Sequence, residues 1–336
     1  MKKAYCIRES KSPIVNTYMS MLEDGVREAG YETESVGQVY SGLDKSAPIL
    51  TDIATIALQY MIRGYRKHIV WYQGIIPEES YMRRKSRLRF AALSMIEEYV
   101  LKKAQVIILV SKAMLEFYEK KYHISIADKS LIIPCYIDHA VYPGSFDRKG
   151  TGQGPEFVYV GGMQEWQCFE QTAAIYQKIE EQLQGECLFS VYSKDPDKAR
   201  QIMERTGVRN YTVQFVESGE LYKRIATADY GFILREDVDV NQVATPTKIS
   251  NYIANGIVPI YTPAIRSFAE ADREIGLGIQ CEMEDPDRAA RTIVEAIRDR
   301  KDRKELESKC RRYFEEYYSR DRHVKEVAEI TKRVFG

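Results

Sequence analysis

Short apolar runs alternate with longer segments of helical periodicity along the whole of this 336-residue chain, and few folds satisfy such a pattern. In the first half, strands are expected at 4–7, 68–72, 106–110 and 131–133, with helices at 16–29, 52–65, 83–103 and 112–121. In the second half, strands are expected at 157–160, 188–192, 212–216, 230–234 and 258–261. The helices there are expected at 167–183, 197–206, 219–228, 246–255 and 287–300. Strands that read as nearly unbroken apolar runs between helices belong to parallel sheets covered on both faces.

The chain is long enough for two domains of roughly 150 residues each. Charge divides it in the same way. Residues 1–150 carry 22 Lys/Arg and 17 Asp/Glu; subtracting from the totals of 49 and 49 leaves 27 and 32 for residues 151–336. The change falls at the Gly-rich, turn-prone stretch 147–155, read as the linker. The expectation is therefore an α/β protein of two Rossmann-like domains facing a cleft, split near residue 150. Ligands of such sheets sit beyond the carboxyl ends of the strands.

Composition excludes several classes. A net charge of zero argues against a nucleic-acid partner, whose binding rests on a basic surplus. The six cysteines (6, 135, 168, 187, 281, 310) contain no C-x-x-C pair, so neither a zinc knuckle nor a disulfide framework is expected. The most apolar N-terminal stretch, 53–62, is half the length of a spanning helix. After Lys2 and Lys3, only four uncharged residues precede Arg8, too short an apolar run for a signal peptide. A cytoplasmic location follows as the expectation.

The most informative segment is 230–261, which parses as strand, loop, helix, cap and strand. Thr245 suits an N-cap and Pro246 a first helical position. Ile249, Tyr252 and Ile253 share one face, and Gly256 suits the helix end. The loop after Arg235 and the helix start then lie at a strand's carboxyl end, where a helix N-terminus favours an anion. With the full charges of Arg235 and Lys248 this is a candidate diphosphate site, and an ordinary capped helix is the alternative.

Arg235, Asn241, Ala244, Pro246, Thr247, Lys248, Tyr252, Ala254, Gly256 and Pro259 together resemble the donor-site pattern of retaining GT-B glycosyltransferases, in particular glycosyltransferase family 4. Segment 158–162 resembles the first strand and turn of that donor domain, and 109–114 with 132–138 resembles the end of the acceptor domain. Segment 313–334 looks like the helices that pack back toward the N-terminal domain, so the resemblance implies domains at 1–150 and 151–310 with 311–336 as closing helices. The resemblance implies an N-terminal acceptor-binding domain and a C-terminal domain for a nucleotide-sugar. It places Gly161, Gly162, Arg235, Asn241, Thr245, Thr247, Lys248 and Asn251 around the donor, with Arg235 and Lys248 in catalysis. It also implies that positive residues hold the diphosphate, with no metal and no cofactor.

Departures from the family pattern are specific. Asn251 stands where a Glu contacts the ribose, and Val243 where a second Glu lies eight residues earlier. Gly162 and Gln167 stand where an Arg and a Lys grip the diphosphate. Asn251 can still hydrogen-bond a hydroxyl, without the stronger charge-assisted bond. Trp166 and Gln167 line the site in one reading; in the other, Trp166 is a packing aromatic.

On the acceptor side, the strand 68–72 runs into a loop carrying Gln73, Glu78 and Glu79. A carboxylate there would orient or deprotonate an acceptor hydroxyl; equally, acids in that position favour the first turn of the next helix. That helix carries Arg83, Arg84, Lys85, Arg87 and Arg89, a cluster that suits an anionic membrane surface and a lipid-linked acceptor, or else a solvated face or a phosphate-bearing acceptor site. Three Asp-x-Asp triplets, at 195–197, 237–239 and 285–287, are read as turns. The histidines at 68, 123, 139 and 323 have neither metal-ligand nor triad spacing. The expected activity is glycosyl transfer from a nucleotide-diphosphate-sugar to an acceptor hydroxyl of a glycan or lipid-linked sugar, at the cell envelope. A non-catalytic GT-B-shaped partner of another transferase, or a nucleotide-sugar epimerase, is the alternative.

Overall fold

A computed structural model describes residues 2–8, 12–37, 42–136, 140–147, 154–217, 219–299 and 302–336. Most of the expected linker, along with Asp138 and His139, lies outside the described residues. Two compact units are present. The first comprises residues 1–137, 242–245 and 319–336, and the second comprises 138–241 and 246–318.

The first unit runs β1 (Lys2–Ile7), α1 (Pro13–Glu28), β2 (Tyr31–Val36), β3 (Ile49–Thr51), α2 (Ala54–Ile62), β4 (His68–Tyr72), α3 (Ile76–Arg84), α4 (Arg87–Lys103), β5 (Val106–Leu109), α5 (Lys112–Tyr122) and β6 (Ser130–Ile132). Its six strands are parallel, in the order β2-β1-β3-β4-β5-β6. The central strands β4 and β5 are buried at every residue, as their unbroken apolar sequences require. The polar β2 sits at the sheet edge, and its sequence Tyr-Glu-Thr-Glu-Ser-Val carries no apolar run from which a strand would be read.

The second unit runs β7 (Glu156–Val160), α6 (Phe169–Gln182), β8 (Leu188–Tyr192), α7 (Pro196–Thr206), β9 (Tyr211–Gln214), α8 (Leu221–Ile225), β10 (Tyr230–Ile233), α9 (Asp239–Gln242), α10 (Lys248–Ala254), β11 (Val258–Tyr261), α11 (Arg266–Ile275), β12 (Ile279–Gln280), α12 (Pro286–Asp299) and α13 (Arg303–Tyr317). The sheet order β9-β8-β7-β10-β11-β12 is that of a dinucleotide-binding Rossmann sheet, and its direction of winding reverses between β7 and β10. Phe157, Tyr176, Phe189 and Phe232 pack through its core in alternating stacked and edge-on contacts.

The closing helix α14 (Arg320–Phe335) belongs to the first unit, where it packs along α1. Gly25 makes that approach close: a Cβ on it would stand 2.5 Å from Cβ of Val327. Arg320 pairs with Asp24 across the same contact, and buried His323 Nδ1 lies 2.9 Å from the hydroxyl of Tyr136.

The expected helix 83–103 is two helices. Lys85 adopts the left-handed conformation (φ 51°) and ends α3, and Ser86 restarts the chain by accepting at Oγ from Arg89 N. Two of the Asp-x-Asp triplets contain helix caps: Asp195 accepts from Lys198 N, and Asp285 accepts from Arg288 N.

Candidate functional site

The reversal point between β7 and β10 is where a sheet of this order opens a crevice. Gly161 and Gly162 leave the end of β7, and Arg235 follows the end of β10 by two residues. Helix α10 is pinned there by Tyr252, whose hydroxyl donates to Phe232 O (3.2 Å) and accepts from Val160 N (3.2 Å). Gly231 clears the space, since a Cβ on it would lie 2.5 Å from the Tyr252 ring. Ile249 and Ile253 are buried with Tyr252, as their helical spacing requires, and Gly256 (φ 63°) turns the chain into β11.

Arg235 is held as a fixed donor. Its backbone N–H donates to Thr262 Oγ1 (3.0 Å), and that hydroxyl donates back to Arg235 O (2.7 Å). The side chain, only 5% exposed, donates to Leu234 O (2.7 Å) and to Oε1 of Gln167 (2.9 Å). The ammonium of Lys248 donates to the same Gln167 oxygen, also at 2.9 Å, and lies 5.0 Å over the ring of Tyr159. Tyr159 in turn donates to Gly162 O (2.8 Å). Gly161 gives the ammonium its place, because a Cβ there would come within 2.7 Å of Nζ.

Neither cation forms an ion pair among the described residues. Burial holds the pKa of Arg235 below its ordinary value. Burial, with repulsion from Arg235, holds that of Lys248 well below the usual lysine range. Two positive groups, one of them deeply buried, thus converge on one neutral oxygen. Such charges are stabilised by an anion far better than by an amide.

The remaining expected donor residues are placed less uniformly. Helix α10 begins at Lys248 with Thr247 at its N-cap, two residues later than the Thr245 cap read from the sequence. Thr245 Oγ1 instead accepts from Cys135 N (2.8 Å) within the first unit, where the neighbouring Val243 O accepts from Ser111 Oγ. At the start of the helix, Ile249 N donates to Pro246 O and Asn251 N to Thr247 O. Asn251 is buried within α10, next to half-buried Thr247. Asn241 donates from Nδ2 to Glu236 O (2.9 Å) and braces the loop after Arg235. Trp166 is half-buried in the 3-10 turn Glu165–Gln167, which sets Gln167 against the two cations.

In the first unit, Gln73 is exposed past the end of β4. Glu78 pairs with Lys121 (2.7 Å), and Glu79 with Arg83 (3.1 Å). Burial raises the Glu79 carboxyl above its ordinary value. Beside Glu78 lies Glu97, 2% exposed, which accepts from Tyr122 OH (2.7 Å), Tyr118 OH (3.3 Å) and Lys121 Nζ (3.3 Å). Burial pushes its carboxyl up to about 7. Sequence reading missed Glu97, although it falls on the apolar stripe Phe90, Leu93, Val100 and Leu101 of α4. Among the described residues no cluster of three or more His, Cys, Asp or Glu is placed to hold a metal.

Comparison with solved structures decides the architecture. Sucrose-phosphate synthase from Thermosynechococcus elongatus superposes with a TM-score of 0.73 over 100% of this chain and 99% of its own, at 13% identity. The fold is GT-B. WaaG, a glycosyltransferase involved in lipopolysaccharide biosynthesis, matches with a TM-score of 0.63 at 13% identity, over 96% of this chain and 99% of its own. A mutant of S. aureus TarM in complex with UDP matches with a TM-score of 0.61 at 11% identity; 87% of this chain covers 56% of that longer one. No family model and no curated protein matches the sequence. No helix among the described residues is long and apolar enough to cross a membrane.

Proposed function

We propose that this chain is a glycosyltransferase that moves a sugar from a nucleotide-diphosphate-sugar to an acceptor hydroxyl. One observation carries the reading: Arg235 and Lys248, without a carboxylate partner, meet on Gln167 Oε1 at the strand ends where the Rossmann sheet reverses. A donor diphosphate would replace the amide oxygen and satisfy both cations. The GT-B fold, and the UDP in the TarM complex, support that assignment.

In this mechanism Arg235 and Lys248 stabilise the charge that develops on the diphosphate as it leaves. Their rigid attachment at Thr262 and Tyr252 means little reorganisation is needed at that moment. A leaving phosphate held on the acceptor's side accepts the acceptor proton, which gives retention without a side-chain base. Glu78 and Glu79, each paired with a cation, serve in this account to shape the acceptor side with Gln73. The two cations take the place of a divalent ion, so transfer should survive chelation. The acceptor is a glycan or lipid-linked sugar of the cell envelope, reached from the cytoplasm.

The test begins with a thermal-stabilisation screen of UDP-, GDP-, CDP- and dTDP-sugars to find the donor. Replacing Lys248 with Ala should then lower turnover on that donor by about 10²–10³-fold, the usual loss for a donor aimed at developing charge. Unchanged turnover and donor affinity would remove this site from the mechanism. A second reading, a non-catalytic GT-B partner subunit, is favoured by the neutral residues at Asn251 and Gln167; it predicts no stabilisation by any donor. An epimerase would convert the donor with no acceptor present.

A further inference from the structure

Helix α4 is turned against the usual order of a surface helix. Its inward face buries Glu97 with Val100 and Leu101, while Leu88 is 87% exposed, Met95 70% and Tyr99 45%. At 100° per residue, Leu88, Ala92, Met95 and Tyr99 fall within an arc of about 60°. Ala92 is exposed as well, so the row is continuous along the helix. Helix α2 packs against α4 and ends in Ile62, 73% exposed, followed by exposed Arg63.

The cations stand at the N-terminal end of this row. Arg84, Lys85, Arg87 and Arg89 are exposed and form no ion pair among the described residues. Arg89 donates to Ser80 Oγ, and Arg83 alone of the cluster is neutralised, by Glu79. An apolar row with long aliphatic and aromatic side chains, beside uncompensated cations, matches the boundary between anionic headgroups and acyl chains. A purely solvated helix would not keep Leu88, Met95 and Ile62 in water.

We propose that the α2–α4 face of the first unit docks on an anionic membrane surface, with Leu88, Met95, Tyr99 and Ile62 entering the interface and Arg84, Lys85, Arg87 and Arg89 holding the headgroups. This goes beyond the donor-site reading and stands independently of it. The test is sedimentation of the full chain with vesicles of phosphatidylcholine alone or mixed with phosphatidylglycerol. Binding is expected only to the anionic vesicles. Leu88→Ser with Met95→Ser should weaken it by about tenfold or more, and Lys85→Glu with Arg87→Glu should abolish it. Both pairs are exposed, so melting temperature should match the parent chain. Absence of binding, or binding indifferent to the Leu88 and Met95 changes, would overturn the proposal. So would a dimer in sedimentation velocity that the same two serines dissociate, because a second copy would then own the face.

Discussion

Arg235 and Lys248 share a single acceptor: Oε1 of Gln167 lies 2.9 Å from Nη2 of the one and 2.9 Å from Nζ of the other. The two side chains come from different elements, one after β10 and one on α10, and among the described residues that amide oxygen is the acceptor they have in common. In the proposed mechanism Gln167 occupies the position that an oxygen of the diphosphate would take. Replacing Gln167 with Ala should expose both cations, lower the melting temperature of the empty protein, and tighten binding of pyrophosphate. Gln167→Glu should do the reverse, because a fixed carboxylate satisfies the cations permanently. Calorimetric titration with pyrophosphate checks both. If the alanine variant binds more weakly than the parent, Gln167 is itself a ligand group rather than a stand-in.

Protonation of Lys248 should be linked to binding. In the empty site, burial and the neighbouring guanidinium disfavour the ammonium, so its pKa lies well below the ordinary value. A diphosphate favours the charged form and raises that pKa. At any pH between the two values, binding takes up protons, and affinity falls as pH rises through that window. Titrating a nucleoside diphosphate in buffers of different ionisation enthalpy reads the uptake directly. In Lys248→Ala it should vanish.

Two glycines near the site should respond differently to a methyl group. At Gly231 a Cβ meets the Tyr252 ring at 2.5 Å, and that ring is locked between two strands. Gly231→Ala should therefore cost about 1–3 kcal/mol of stability, in the range of core overpacking, and displace α10. At Gly161 a Cβ would come 2.7 Å from Nζ of Lys248, which can swing aside, and 3.0 Å from the hydroxyl of Tyr159, which needs to give by only a few tenths of an ångström. Gly161→Ala should cost less stability than Gly231→Ala yet weaken nucleotide binding. Equal losses of stability in the two variants would contradict the described packing.

How much of this was readable in the sequence depends on what each residue's neighbours reveal. The buried strands β4, β5, β7 and β10 announce themselves because both faces are apolar, and the 230–261 segment discloses its own strand, helix and cap. The edge strand β2 does not, since half of its groups face solvent and its pattern is polar. The split between α3 and α4 rests on one left-handed residue, Lys85, of a type that ordinarily continues a helix. Arg235 and Lys248 stood out as charges beside a strand end. Gln167 was legible as a residue lining the donor site in place of the lysine of the resembled family, but not as the bridge between two cations, because its bonds join residues 68 and 81 positions apart. The exposed row of α4 was hidden for another reason: apolar residues at helical spacing signal burial, and only the fold shows that Glu97 took the inner side.

That inward Glu97 gives the first unit a pH dependence whose sign is fixed. Its carboxyl titrates at about 7 in the folded chain, against 4.5 for the free side chain, with burial as the main cause and Lys121 opposing it. Folding therefore favours the protonated form. The associated stability is present below about pH 4.5 and is lost as pH rises through about 7; a shift of this size corresponds to about 3 kcal/mol. Glu97→Gln keeps the hydrogen-bonding shape and removes the ionisation. The melting temperature of the variant relative to the parent chain should climb between pH 5 and pH 8. Lys121 retains Glu78 at 2.7 Å, so the lysine is not orphaned by the change. A difference that stays flat across that range would mean Glu97 is ionised throughout, with Lys121 and Tyr122 compensating its burial in full.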